Sequence, residues 1–196
     1  MKRILSISFL FFLVVVTFTC TRKRDVKPLP EGAKAWLYGY TTGLISRIDP
    51  ITVQFSGLAV NEEEVGQEVA NNLVDIVPDA GGKWVWVDRQ TMRFTPEPAL
   101  AFATTYIVTV QLGKIFDNVP AEAASFDISV TTRDPYVSLK LEGLQTPDVK
   151  QRGKRTLTGM LLTSDFVPDA EAAALLTTAT QAGKALEVTW SQRQWH

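Results

Sequence analysis

The sequence predicts an all-β protein: an Ig-like antiparallel β-sandwich, followed by a partial second β-sandwich module and preceded by an N-terminal signal or anchor segment. Short runs of alternating apolar and polar residues recur along the chain, and turn residues separate them at intervals of about 8–12 residues. Hydrophobic residues make up 45% of the chain and charged residues 21%. This composition supports a sizeable core and excludes wholesale disorder.

The alternation is clearest in Trp84–Leu112, around which the predicted sandwich is organised. Trp84 and Trp86 share one face of a strand, and each later run again places its apolar side chains on one face: Met92, Phe94 and Pro96, then Tyr106, Val108, Val110 and Leu112. This pattern is typical of antiparallel strands with one buried and one solvated face. We therefore expect both tryptophans in the core. Tryptophans exposed to solvent could instead stack on sugar rings, which leaves carbohydrate binding as a weaker alternative.

The first 19 residues are typical of a secretory signal. A positive start, Lys2-Arg3, precedes the mainly apolar run Ile4–Phe18, and Cys20 follows as the only cysteine of the chain. The apolar run is shorter than the ~20 residues of a comfortable membrane span, which favours a signal peptide over residues 1–19. A lone cysteine is unusual in an exported chain, where cysteines tend to pair.

The segment Thr17-Phe18-Thr19-Cys20 resembles the lipobox of bacterial lipoproteins, although threonine replaces the usual Leu and the usual Gly, Ala or Ser of that motif. The resemblance implies cleavage before Cys20 and lipidation of its thiol. The product would be a lipid-anchored membrane protein of the cell envelope, facing the periplasm. An ordinary cleaved signal, or an uncleaved anchor with an incidental cysteine, remains the alternative.

A polar tether over residues 20–35 is predicted to lead into the first module, residues 36–133. Ile51–Ser56, Leu73–Val77 and Phe126–Thr132 add strands to the central stretch, for about seven strands in all. Asn61–Asn72 is predicted to be a short helix or an irregular excursion. Its four glutamates invite a metal or acid/base hypothesis, but clustered carboxylates on such a segment more often form a solvated face; they are Glu62, Glu63, Glu64 and Glu68.

The second module, residues 135–196, begins after a boundary at Arg133-Asp134-Pro135. Val137, Leu139 and Leu141 alternate with polar residues, Thr156–Thr163 is a further strand, and so is the run with Leu186, Val188 and Trp190. Asp169–Ala182 has helical propensity, although a strand and loop remain open for it. Because only three or four strands precede His196, we expect a fragment of a longer polypeptide or a truncated reading frame.

The residue inventory predicts no catalytic residue, no cofactor-binding residue, no cofactor and no metal site. The one histidine, His196, is the last residue, and a catalytic base must be held in place by a third group. Neither metal-ligand spacing nor a glycine-rich phosphate loop is present in the sequence. A formal net charge of −1 gives no basic patch, so nucleic acid is not an expected partner.

The Ile51–Leu112 pattern resembles the bacterial Ig-like repeat. Together with residues 38–46, 155–165 and 181–190, it resembles the N-terminal macroglobulin-type domains of a bacterial alpha-2-macroglobulin lipoprotein. That resemblance implies a non-catalytic, membrane-proximal scaffold of an endopeptidase inhibitor, whose full-length form would meet proteases. The thioester of that family cannot form here, because Cys20 is the only cysteine. The alternative is a free-standing Ig-like binding or adhesion lipoprotein with a protein or glycan partner.

Overall fold

The computed structural model describes residues 28–146, 155–175 and 179–190. Cys20, the predicted signal peptide and His196 lie outside these ranges. Within them the protein is mainly β, with an antiparallel β-sandwich followed by a smaller second β-module. The predicted all-β fold class is therefore confirmed. None of the helices in the described ranges is long and apolar enough to cross a membrane.

The first sheet of the sandwich carries the alternation that the sequence shows most clearly. In β3 the side chains of Ile51, Val53 and Phe55 face the core, while Thr52 and Gln54 face outward. All neighbouring pairs in this sheet are antiparallel. Its strands, in spatial order, are β1 (Leu37–Tyr40), β3 (Ile51–Phe55), β6 (Thr91–Pro96) and β5 (Gly82–Asp88).

The second sheet packs its apolar face against the first. Its central strands are β7 (Thr105–Val110), which is almost entirely buried, and β8 (Phe126–Thr132), in which buried and half-buried residues alternate; Val108 and Val130 are fully buried. The short strand β2 pairs in parallel with β8, and the other pairs are antiparallel. In spatial order the strands are β2 (Gly43–Ile45), β8 (Phe126–Thr132), β7 (Thr105–Val110) and β4 (Val74–Val77).

Both tryptophans of β5 lie in the shared core, as the sequence predicts. Trp84 is 8% exposed and Trp86 is 3% exposed. Trp86 packs against Phe55, with ring centroids 6.2 Å apart, and Trp84 packs against Phe94 at 5.5 Å. The alternative of sugar stacking on these two tryptophans is wrong, because their rings are covered by the opposite sheet and by neighbouring strands.

Two boundaries differ from the sequence prediction. Residues 31–34 form a short helix, α1 (Glu31–Lys34), whose Ala33 is fully buried in the core, so this part of the predicted tether belongs to the sandwich. Small side chains explain the close packing, because a Cβ added to Gly32 would lie 3.3 Å from that of Ala123. The predicted last strand residue, Leu112, instead begins helix α2 (Leu112–Ile115) and is still fully buried.

The second module consists of a ribbon, a helix and a hairpin. Strands β9 (Val137–Gln145) and β10 (Thr156–Thr163) pair antiparallel, and helix α3 (Asp169–Leu175) follows. Strands β11 (Ala179–Gln181) and β12 (Lys184–Leu186) pair as a separate hairpin. The stretch Asp169–Ala182 therefore contains helix at its start and strand near its end, which resolves the open choice in the sequence.

Replacing Trp86 by alanine should destabilise the sandwich by roughly 3–5 kcal/mol, because the change removes a buried indole and leaves a cavity. Val87→Ala is the matched control, since Val87 is the next residue of β5 and its side chain faces solvent. Denaturant unfolding of both variants measures the difference. A loss below about 0.5 kcal/mol for Trp86→Ala would contradict the core assignment.

Candidate functional site

The glutamate cluster singled out in the sequence has structural roles. Glu62–Glu64 form one turn of 3-10 helix, which Asn61 and Glu64 close as a capping box: the Asn61 N–H donates to Glu64 at 3.1 Å. The carboxylate of Glu62 lies 3.9 Å from Arg89. All of these glutamates are exposed, as expected for a solvated face. Within the described ranges no group of three or more His, Cys, Asp or Glu side chains could hold a metal ion.

A buried polar junction joins the two modules. Its centre is Asp165, which follows β10 and is 9% exposed. Its carboxylate accepts hydrogen bonds from the Ser46 hydroxyl at 2.5 Å and from the Arg47 N–H at 3.0 Å, both in the first module. It also accepts a bond from the N–H of Phe166 at 2.7 Å. Three donors on one carboxylate compensate for its removal from water.

Arg47 is the second buried charge of this junction, at 8% exposure. Its guanidinium donates to the carbonyls of Leu100, in the first module, and Phe166, in the second, the latter at 3.0 Å. It also lies 4.1 Å above the centre of the Phe102 ring. Glu171 of helix α3 is 3.9 Å away, an ion pair that is too solvated to contribute much.

The local structure on each side holds these groups in place. Ser46 and Asp49 close the turn between β2 and β3, since the Ser46 N–H donates to the Asp49 carboxylate at 2.8 Å. The Arg47 carbonyl accepts the N–H of Leu100 at 3.0 Å. On the other side, the Thr163 hydroxyl donates to the Asp165 carbonyl at 2.8 Å. Both partners of the junction are therefore fixed by hydrogen bonds within their own modules.

The segment that leads into β9 and the segment that follows β10 are also hydrogen-bonded to each other. The Ser164 hydroxyl makes both bonds: it donates to the Asp134 carbonyl at 2.6 Å and accepts the Tyr136 N–H at 3.0 Å. Val167, just beyond, is buried. The arrangement offers no reacting group; it connects two modules at a fixed point. Sequence reasoning missed it, because Arg47 and Asp165 belong to no recognisable site motif and are brought together only by the fold.

A shallow cleft beside strand β1 is the other surface feature of interest. A β-bulge between Leu37 and Gly39 turns Tyr38 outward, leaving it 79% exposed, and Tyr40 is partly exposed next to it. Gly39, between the two tyrosines, adds no side chain to this part of the strand. The cleft has a volume of about 260 Å³. Bulges commonly redirect a side chain at sheet edges in this way.

Comparison with known proteins gives little. No protein-family model and no curated protein matches the chain. Solved structures that do match include an L,D-transpeptidase from Mycobacterium tuberculosis H37Rv, 19% identical with a TM-score of 0.32, over 52% of this chain and 41% of that one. L,D-transpeptidase 3 from the same species is 16% identical with a TM-score of 0.33, over 76% and 54%. An L,D-transpeptidase from Mycobacterium smegmatis is 13% identical at 0.33, over 66% and 71%.

These matches overturn the resemblance to the alpha-2-macroglobulin family, since the similar structures are L,D-transpeptidases. The motifs behind that resemblance, such as the apolar alternation around the tryptophans of β5, are common to half-buried antiparallel strands in general, so they do not distinguish one β-sandwich family from another. The chain spans 41% of the length of the first transpeptidase named. At TM-scores of 0.32 and 0.33 the likeness carries no argument about the activity of this chain.

Replacing Arg47 by alanine should loosen the junction, because two buried carbonyls lose their charged donor. We expect the opening free energy of residues 164–175 to fall by about 2 kcal/mol, while β7 and β8 keep their protection. Amide hydrogen exchange measures both regions in one experiment. Arg93→Ala, an exposed arginine on β6, is the control and should change neither. Unchanged exchange in 164–175 would contradict a stabilising role for Arg47.

Proposed function

We propose that this chain is a non-catalytic, lipid-anchored scaffold protein of the cell envelope, facing the periplasm. Its sandwich holds the second β-module in a fixed position relative to the anchor. The observation that carries the proposal is the junction, in which the buried Arg47 and Asp165 each make a hydrogen bond to the other module. A flexible connection would not need two buried charges, whose desolvation is costly unless they are well paired.

A non-catalytic role is supported by how the charged side chains are used. Asp165 accepts three hydrogen bonds that position backbone and hydroxyl groups. Glu64 caps a helical turn, and Glu68 lies 3.3 Å from Lys83 on the surface. Each of these carboxylates is explained by a structural contact. The interior between the two sheets is filled by apolar side chains.

The lipid anchor rests on the sequence around Cys20. The apolar run before it and the absence of any second cysteine in the chain are features of a lipoprotein signal. Lipidation with more than one acyl chain would hold the protein at a membrane, whereas one chain alone binds only marginally. The sandwich would then begin close to the membrane, because α1 starts at Glu31.

The Tyr38–Tyr40 cleft favours a second candidate function, an envelope protein that binds glycan. A tyrosine with most of its ring exposed offers an apolar face and a hydroxyl, which together suit a sugar ring. Lys34 also borders the cleft; its ammonium donates to Glu31 at 2.5 Å and has two further N–H donors for sugar hydroxyls. Binding here would be compatible with the scaffold role, because the cleft and the junction use different residues.

Cys20→Ser should abolish fatty-acid labelling and membrane retention, because serine has no thiol to acylate. Thr21→Ser is the control, since it makes a similar small change at the next residue and should leave labelling intact. Metabolic labelling with an alkyne fatty acid, followed by membrane fractionation, measures both properties. Persistent labelling of Cys20→Ser would rule out lipidation at this site.

Tyr38→Ala should reduce retention on a glycan array by about tenfold if the cleft binds sugar, because the stacking face is removed. Tyr136→Ala is the matched control, as Tyr136 is an exposed tyrosine outside the cleft. No retention of the parent protein on any glycan, or an equal loss in both variants, would dismiss the glycan-binding candidate.

A further inference from the structure

One face of the β9–β10 ribbon carries a row of leucines, all of them exposed except the half-buried Leu161. The register places leucine opposite leucine at two levels and leucine opposite glycine between them; we call this set the leucine face, and it consists of Leu139 with Leu161, Leu141 with Gly159, and Leu144 with Leu157. Leu141 and Leu144 are each 59% exposed and Leu157 is 54% exposed. Contiguous exposed apolar surface of this kind is typical of interaction sites for proteins, membranes or ligands.

A β-bulge keeps the leucine face continuous. Glu142 has no partner in β10, so the alternation of β9 shifts by one residue after Leu141. Without this shift Leu144, three residues later, would lie on the opposite face. The irregularity therefore brings a third leucine of β9 onto the face that carries the other two.

The two edges of the ribbon differ in what they present. Strand β9 carries two charged residues, Lys140 and Glu142, and a β-bulge. Charged side chains and bulges on an edge strand disfavour pairing with a strand of another chain. Strand β10 has neither a charged residue nor a proline. No strand of the described ranges pairs with its outer edge. The edge of β10 is thus open to a further strand, while that of β9 is protected.

The sequence of β10 matches an antiparallel copy of itself. If Gly159 lies opposite Gly159 of a second copy, Leu157 of each copy lies opposite Leu161 of the other. A row of leucines then crosses all four strands: Leu144 and Leu157 of one copy are followed by Leu161 and Leu139 of the second copy. No like charges meet, because β10 has none. A patch that complements itself about a two-fold axis is what a symmetric dimer requires.

We propose that two copies of this chain associate through β10, about a two-fold axis at Gly159, and form the four-stranded sheet β9–β10–β10–β9. A two-stranded ribbon alone is marginally stable, whereas four strands with a shared apolar face are stable. Pairing satisfies the open backbone edge of β10 and gives Leu157 and Leu161 lateral apolar neighbours. The protected edges of β9 end the sheet at four strands, so the assembly is closed.

The register predicts which residues meet on the other face of the sheet. Thr158 of one copy lies opposite Met160 of the second copy, away from the leucine face. The pair of variants T158K/M160E and T158E/M160E tests this placement. The first sets a lysine opposite a glutamate across the axis, and the second sets glutamates opposite each other. The two differ in a single side chain and leave every leucine in place.

Sedimentation equilibrium of the full chain in a mild, density-matched detergent measures the dissociation constant. We expect the parent and T158K/M160E to be dimeric, and the dissociation constant of T158E/M160E to rise by about tenfold or more. Circular dichroism checks that both variants fold. A parent that stays monomeric at all concentrations overturns the proposal. Equal dissociation constants for the two variants overturn it as well, and would be the outcome if two leucine faces packed on each other instead.

Hydrogen exchange of the unmodified chain gives an independent test, should either variant fail to fold. Raising the protein concentration through the dissociation constant should slow exchange of amides in β10, while those on the outer edge of β9 are unchanged. Concentration-dependent protection of β9 alone, or of neither strand, would overturn the proposal.

Discussion

The second module is held by two buried charges, and its position depends on their being satisfied together. Asp165 and Arg47 do not pair through their side chains: the carboxylate accepts the Arg47 backbone N–H, and the guanidinium donates to the carbonyls of Leu100 and Phe166. Each module therefore satisfies a charge that belongs to the other. Separating the modules would leave unpaired polar groups on both sides, so these hydrogen bonds help to hold the modules in one arrangement.

The two modules differ in whether the apolar face of each sheet is covered. In the sandwich, each four-stranded sheet buries its apolar face against the other, and residues such as Val53 and Val130 are completely covered. In the ribbon, the same alternation produces the leucine face, but no second sheet of the described ranges covers it. Alternation in the sequence specifies which side chains share a face; it does not specify what that face meets.

This distinction separates what could be predicted from the sequence from what could not. Burial of Trp84 and Trp86 followed from period-two alternation, because residues two apart must share a face in any strand. Burial of Ala33 did not follow, since it depends on the close approach of its polar-looking segment to the distant residue Ala123, which lies next to Gly32. The junction could not be predicted either, because Arg47 and Asp165 are 118 residues apart and neither belongs to a recognisable site motif. The bulge at Glu142 is likewise a property of pairing, which one strand alone does not reveal.

The junction and the edge of β10 are physically connected. Asp165 follows β10 by two residues, and Ser164 is bonded to the start of the segment that leads into β9. A ribbon fixed at this end loses less conformational entropy when its open edge meets another strand than a freely moving ribbon would. Replacing Arg47 by alanine should therefore weaken any association through β10, even though Arg47 is not part of that edge. The junction would then serve two purposes: it attaches the ribbon to the sandwich in a single orientation, and it favours association through β10.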